Sequence, residues 1–423
     1  YPLPRRDSCA AGPYRDSAQP ASRRARRTNE QPPALIRSGP PLTRADLGQA
    51  TGLSRSAVAA VVQELLDEGV IEEDLIPPGG RGSGRGRPSA LLVPSAARGH
   101  VVAIDFGHNH LAVAVADAEG GVLAERWAQM DVDGQARASL DAAVEIVVEL
   151  LDEAGVAVSD IRCAAAGIPA PIDAHSHEIR SMSIMSDWVG VNPQQELARR
   201  LGWRVVVAND ADMGAQGELR FGAARGIRDL VYVKLGDGVG ASLVLQGVPY
   251  PGADGLAGEV GHTQVSDQGD WCRCGNRGCL ETVASTAFLR TLMADAGLSP
   301  RADAYPLRDA AEHPAVARFV EETGRTVGRV LADLCNWLNP RGVILGGELS
   351  TVGAPLADGV RESIRRYAQP ASAQAVEVRT AELGRRSELL GAVAVACREL
   401  GYEPWAKPLP PIALDAARRV TAG

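Results

Sequence analysis

The sequence holds no apolar run approaching the roughly 18 residues that a transmembrane helix needs. No hydrophobic block follows the first arginines, as a secretory leader would require, so a cytoplasmic location and no membrane partner are expected. Cysteine is scarce, 7 in 423 residues, which leaves little for a disulfide framework. In a reducing compartment a tight cluster of cysteines points instead to a metal. Lysine is missing from residues 1–98, where 14 arginines face 10 acidic residues.

The bulk of the chain is ordinary for a globular protein, 45% hydrophobic and 23% charged, with length enough for two or three domains. Its charge is uneven: +4 over residues 1–98 against −8 for the whole chain, which leaves −12 for the rest. A basic front on an acidic body suggests an anion-binding module joined to something else, although solvated surface gives the same pattern. Residues 1–36 are rich in Pro, Ser, Ala and Arg without periodicity and read as a disordered tail. The "RRARR" within them is either a phosphate contact or plain solvated charge.

From Thr43 the pattern becomes helical. Thr43 is a candidate N-cap for a short helix to about Ala50, and Gly52 supplies a left-handed turn. Ser54 then caps a second helix reaching about Glu68, with Ala57, Val58, Val61, Val62, Leu65 and Leu66 on one face. That is the layout of a helix-turn-helix whose second helix enters the major groove. Arg44, Ser54, Arg55, Ser56 and Ala59 are the candidate DNA-contacting positions there. "VIEED…IPPGGRGSGRGRPSALLVP" reads as two short strands around a glycine–arginine wing, with Arg81, Arg85 and Arg87 suited to a narrow minor groove. A plain interdomain linker is the alternative for that loop.

Residues 100–400 repeat one order of elements. Strands at "HVVAIDFG", "HLAVAVAD" and "VLAERWAQMDV" precede a helix (139–153), a strand (161–167), a helix (193–201) and a strand (205–208). The order recurs in "DLVYVKLG", "GASLVLQG", a short third strand, helices, "GVILGG", a helix near 355–367 and "VEVRTAEL". Two βββαβαβ lobes predict an actin-like, ribonuclease-H-like α/β architecture with a ligand cleft between them.

"HTQVSDQGDWCRCGNRGC" places His262, Cys272, Cys274 and Cys279 at H-x9-C-x-C-x4-C. Three thiolates and an imidazole complete the tetrahedron of a structural zinc and leave no open position for catalysis. Arg273 and Arg277 are expected to offset the surplus thiolate charge, and Gly275 and Gly278 to let the loop fold tightly. Reduced, unliganded cysteines are the alternative. Cys9, Cys163, Cys335 and Cys397 are scattered and read as core or tail residues.

With "GEVGH" (258–262), "CRCGNRGCLET" (272–282), "VVVANDADMGAQGE" (205–218) and "ILGGELS" (344–350), the chain resembles the ROK family of repressors, open reading frames and sugar kinases. The winged helix ahead of these motifs resembles its regulator branch, and the likeness spans about residues 37–400. The resemblance implies a sugar kinase fold whose pocket is lined by Asn209, Asp210, Glu259, His262 and Glu281. Asp210 stands where the kinases keep their catalytic base; a structural strand-end carboxylate is the alternative for it. Working kinases of the family carry a D-x-G-G-T-K first loop and a G-T-G second loop. Here the first reads "DFGHNHL", with His108, Asn109 and His110 after Asp105 and Gly107, and the second "GDGVGAS", with Asp237 for a hydroxyl donor. A side chain crowds the first loop, its lysine is missing, and a carboxylate in the second repels polyphosphate. Ile184 and Ala170 also depart from the family pattern on the sugar side.

The expectation is therefore a cytoplasmic transcriptional regulator, a repressor of carbohydrate metabolism, that binds an operator in double-stranded DNA and senses a sugar or sugar phosphate. A homodimer or homotetramer with structural Zn2+ is expected; ATP and Mg2+ are not, and Asp210 is then a vestigial base. The alternatives are an ATP-dependent, glucokinase-like sugar kinase with a DNA-binding head, and a repressor that answers to a partner protein. The domains read as a tail (1–36), a winged helix-turn-helix (37–97), lobe 1 (98–220), lobe 2 with the zinc loop (221–402) and a C-terminal tail (403–423).

Overall fold

The computed structural model describes residues 42–67, 71–75, 90–94, 99–179, 185–295, 297, 307 and 313–400. The N-terminal tail, the wing loop with Arg81, Arg85 and Arg87, Ile184 and the C-terminal tail lie outside the described residues. The chain divides into two compact units, Tyr1–Ala96 and Ala97–Gly423. No helix among the described residues is long and apolar enough to cross a membrane.

In the first unit, β1 (Leu42–Thr43) leads into α1 (Arg44–Thr51), α2 (Arg55–Asp67), β2 (Ile71–Leu75) and β3 (Ala90–Pro94). Thr43 caps α1 in both directions: its Oγ1 accepts from the Asp46 amide at 3.2 Å, and its own amide donates to Asp46 Oδ2 at 2.9 Å. Such a cap stabilises a helix by about 1 kcal/mol. Gly52, at φ 69°, ends α1 and returns its N–H to Gly48 O at 2.9 Å. Ser54 Oγ accepts from the Ala57 amide at 3.2 Å, so α2 starts where the sequence places it. The core is Leu47, Val58, Val62, Leu65, Ile71 and Leu92. Ala57, Val61 and Leu66, expected on the same face, lie half-buried at its margin. β3 pairs antiparallel with both β1 and β2. Two capped helices beside a small sheet make the expected winged helix-turn-helix.

Among the described residues, the second unit contains two five-stranded sheets. The first is built from β4 (His100–Phe106), β5 (His110–Asp117), β6 (Val122–Gln129), β7 (Ile161–Ile168) and β8 (Val205–Asn209), in the order β6-β5-β4-β7-β8. Its helices are α3 (Ala136–Ala154), which begins one turn ahead of the expected Ser139, and α4 (Pro193–Leu201). α5 (Asp210–Phe221) follows β8 directly. The second sheet is built from β9 (Leu230–Leu235), β10 (Val239–Leu245), β11 (Val248–Pro249), β12 (Gly342–Gly346) and β13 (Glu377–Thr380), in the order β11-β10-β9-β12-β13. The helices of this half are α6 (Glu281–Ala284), α7 (Thr286–Asp295), α8 (Pro314–Leu338), α9 (Ala354–Tyr367), α10 (Pro370–Ala375) and α11 (Ser387–Glu399). The duplicated βββαβαβ order read from the hydrophobic pattern is thus the order of elements along the chain.

β4 and β5 are apolar on both faces because both faces are covered. Val102, Ile104 and Val113 pack with Leu140, Ile146 and Leu150 of α3, while Val101, Ala103 and Ala114 pack with Leu389, Leu390 and Val393 of α11. The closing helix therefore returns to the first sheet although its residues fall within the stretch 221–402. α5 lies against it, with Met213 in that same cluster and Ala211 and Ala215 in a cluster with Tyr232 and Ile344 of the second sheet. The crossing of α5 and α11 depends on Gly217 and Gly391, where a Cβ would run into the backbone at Ser387 and at Met213. These two central helices bring residues of both lobes to one place.

Candidate functional site

Asn209 ends β8 and caps α5. Its Oδ1 accepts from the Ala211 amide at 2.8 Å, and its Nδ2 donates to Ala170 O at 3.3 Å. Asp210, the first residue of α5, is 7% exposed. Its Oδ2 accepts from Lys234 Nζ of β9 at 2.6 Å, and the same ammonium lies 3.6 Å from Glu388 Oε1 at the start of α11. Burial alone would lower the Lys234 pKa, but Asp210, Glu388 and Asp105 outweigh it and hold the amine well above its ordinary range, fully charged. Burial pushes the Glu388 carboxyl up to about 7, against the pull of Lys234. Asp210 is thus tied to a cation through Oδ2 and to the Ala211 amide through Oδ1, at 2.7 Å.

Glu259 follows Gly258, whose φ of 97° and missing Cβ let the chain press against Ala241. The Glu259 side chain is 38% exposed. Desolvation, together with the charges of Asp210 and Glu281, pushes it up to about 7. Glu281, at the start of α6, is buried and has both oxygens engaged: Oε1 with Arg273 Nε at 3.0 Å and Oε2 with the Val239 amide at 3.1 Å. Glu259 therefore lies close enough to Asp210 and to Glu281 to feel the charge of each.

His262 joins this cluster to the cysteines. Its Nε2 lies 3.7 Å from Glu259 Oε2, while Nδ1 lies 3.5 Å from Cys272 Sγ. Cys274 and Cys279 are 3.7 Å apart, sulfur to sulfur, and the ligand atoms of His262, Cys272, Cys274 and Cys279 all fall within 4.8 Å of one another. A tetrahedron with metal–sulfur bonds of about 2.3 Å has a sulfur–sulfur edge of about 3.8 Å, so the donor set fits a metal ion. Burial and the two neighbouring sulfurs push the Cys279 thiol up, so thiolates here call for a cation. Gly275 and Gly278 take φ of 92° and 66°, and a Cβ on Gly278 would strike Ser266 O, as the tight loop demands. Of the two arginines in the loop, Arg273 pairs with Glu281, Nε to Oε1 at 3.0 Å, and Arg277 donates to Gly269 O and stacks over Trp271.

The loop after β4 and the loop after β9 bond to each other. Asn109 Nδ2 donates to Asp237 Oδ2 at 2.8 Å, and Thr286 Oγ1 donates to Asp237 Oδ1 at 2.9 Å. His108 Nδ1 lies 2.8 Å from Asp133 Oδ1, and His110 Nε2 lies 3.0 Å from Asp105 Oδ2.

In the first unit Arg55, Ser56 and Ala59 are exposed along the start of α2. Ser54 shares its hydroxyl between the cap and Ser56 Oγ at 3.0 Å. Arg44 is paired with Glu73, Nη2 to Oε1 at 2.8 Å, which holds it against its own sheet.

Sequence reasoning missed Lys234 and Glu388. The first carried a signal, a lysine inside the apolar strand "LVYVKL"; the second carried none, because only the fold brings α11 to the cleft.

Residues 101–399 match the family described as the ROK family, and residues 34–72 match winged helix-turn-helix DNA-binding domains. The xylose repressor of Caldicellulosiruptor bescii is 26% identical over 374 residues, covering 85% of this chain and 92% of the repressor. The glucokinase of Thermotoga maritima is 30% identical over 318 residues, covering 71% of this chain and 98% of the enzyme. A crystal structure of a ROK family transcriptional regulator, a homolog of the E. coli MLC protein, superposes with a TM-score of 0.74 at 23% identity, covering 89% of this chain and 96% of that one.

Proposed function

The chain belongs to the ROK family, and on that premise we propose that it is a DNA-binding transcriptional repressor of carbohydrate metabolism that senses a sugar in a cleft no longer used for phosphoryl transfer. The observation that carries this reading is the bond from Asn109 to Asp237. It joins side chains at two places where a kinase needs backbone and hydroxyl donors facing phosphate. The ion pair of Asp210 with Lys234 adds to it, since a base must be free to take a proton. The residues of both loops do not fit a nucleotide and its metal, and no step is assigned to either.

Asn209, Asp210, Glu259, His262 and Glu281 are the sugar-facing set in this reading. Carboxylates and amides paired with hydroxyls reject ligands that lack them. Zinc on His262, Cys272, Cys274 and Cys279 is the structural ion; it would hold the imidazole so that Nε2 faces Glu259. Arg55, Ser56 and Ala59 read base edges, and Arg81, Arg85 and Arg87 belong to the wing. The protein works as a homodimer or homotetramer on paired half-sites, in the cytoplasm with the chromosome. The domain limits at 37–97, 98–220 and 221–402 are part of the same proposal.

The test is an electrophoretic shift with the chain's own promoter at moderate salt, repeated with a panel of free and phosphorylated sugars, beside a coupled assay with ATP, Mg2+ and hexoses. Specific retardation altered by one sugar, with no turnover, is expected. ATP-dependent phosphorylation abolished by Asp210→Ala would overturn the reading in favour of a kinase with a DNA-binding head.

A further inference from the structure

We propose that Lys234 is a built-in cation that takes the place of a divalent metal ion among Asp105, Asp210 and Glu388. The inference rests on the reading of the cleft as one that transfers no phosphate, but its test reads metal binding and not turnover.

The three carboxylates come from three separate parts of the chain: the end of β4, the start of α5 and the start of α11. They are 1%, 7% and 3% exposed. Buried carboxylates demand a counter-ion, because each loses several kcal/mol of hydration on leaving water. A phosphoryl-transfer cleft meets that demand with a divalent cation, which carboxylates hold and substrate phosphates complete. Here the charge present is an ammonium tethered to β9. It lies 2.6 Å from Asp210 and 3.6 Å from Glu388 and feels the charge of Asp105.

The other side chains meeting the cluster are a hydroxyl and an imidazole. Tyr232 donates its hydroxyl to Glu388 Oε1 at 3.3 Å, and His110 Nε2 meets Asp105 Oδ2 at 3.0 Å. Asp105 Oδ1 is buried with no hydrogen-bond partner among the described residues. That oxygen is a ligand position left over: one ammonium has three protons to donate, whereas a divalent ion coordinates six or more oxygens and would use it. A metal ion cannot enter while Lys234 stands there, since two cations would have to share Asp210.

Removing the ammonium should therefore uncover a metal site. The experiment is Mn2+ binding followed by electron paramagnetic resonance on the full chain, with zinc content and circular dichroism checked for each variant. Wild-type protein should bind no Mn2+ that Asp105→Asn removes. Lys234→Ala should gain one Mn2+ per chain, and Lys234→Ala/Asp105→Asn should lose it again. Lys234→Arg, which keeps the charge, should bind none. A wild-type Mn2+ site that disappears in Asp105→Asn would overturn the proposal. So would a folded Lys234→Ala that binds no Mn2+, the carboxylates then having taken up protons instead. If Lys234→Ala does not fold, the wild-type and Lys234→Arg arms still decide, because Mn2+ held by Asp105 in either one contradicts a cation already in place.

Discussion

Asn109 Nδ2 and Asp237 Oδ2 are 2.8 Å apart, and they belong to loops on different sheets, 128 residues apart in sequence. The pair ties the two loops together, reinforced on the Asp237 side by Thr286 and, at 3.9 Å, by Arg290. Burial acts to raise the Asp237 pKa, but the bonds from Thr286 and Asn109 and the nearby positive charges hold it below the ordinary carboxylate range. A double-mutant cycle of Asn109→Ala and Asp237→Ala, read by urea denaturation, should give a coupling of about 1 kcal/mol, reduced from a buried bond because Asp237 is about a third exposed. Its contribution is present above the unfolded-state pKa and is lost as pH falls through the depressed folded value.

A second expectation concerns DNA. Arg55→Ala should weaken binding to the operator by about 1–3 kcal/mol and relax base preference at one position per half-site. Arg85→Ala should weaken all sequences alike and reduce the salt dependence. Binding to operator and scrambled duplexes at two salt concentrations separates the two effects.

Metal content provides a third. Purified protein should carry about one zinc per chain by elemental analysis, and both His262→Ala and Cys274→Ser should lose it. The same variants should lose sugar affinity in calorimetry, because His262 links the metal loop to Glu259. A metal-free protein with native melting temperature and sugar affinity would contradict the role of the cluster.

The fourth is a pH dependence. Burial pushes Asp212 up from 3.8 to about 6, against a hydrogen bond from Ser242 Oγ at 2.6 Å, with Asp210 adding to the rise. An acid whose folded pKa is raised keeps its proton in the native state longer than in the unfolded chain. Between about pH 4 and 6 the native state thus binds more protons, and stability falls as pH rises through that window. Asp212→Asn should remove this slope and stabilise the protein at pH 7 by about 2 kcal/mol, provided the amide keeps the Ser242 bond. Thermal melts of the two proteins across that window measure it.

What was legible in the sequence was local or periodic. Thr43, Gly52 and Ser54 announced their helix ends because capping uses neighbours three or four residues away. The metal cluster was readable because all four donors lie between His262 and Cys279. α5 and α11 went unread as helices: "DADMGAQGELRF" and "SELLGAVAVACRE" are buried on nearly every side, so no solvent-facing polar stripe marks them off. The pairing of Arg273 with Glu281 at 3.0 Å was likewise not legible, since only the fold brings that carboxylate to it. Glu388, 178 residues beyond Asp210, could be placed only by the structure.

The return of α11 to the first sheet dictates an order of assembly. As the chain leaves the ribosome, β4 and β5 emerge with one apolar face bare, and Leu389, Leu390 and Val393, which cover it, are synthesised nearly three hundred residues later. The first lobe cannot be finished before those residues are made. A premature stop anywhere ahead of Ser387 would leave that apolar face bare and strip Lys234 of one of its acidic neighbours in the same stroke, so the nascent chain carries an aggregation-prone sheet until α11 is made.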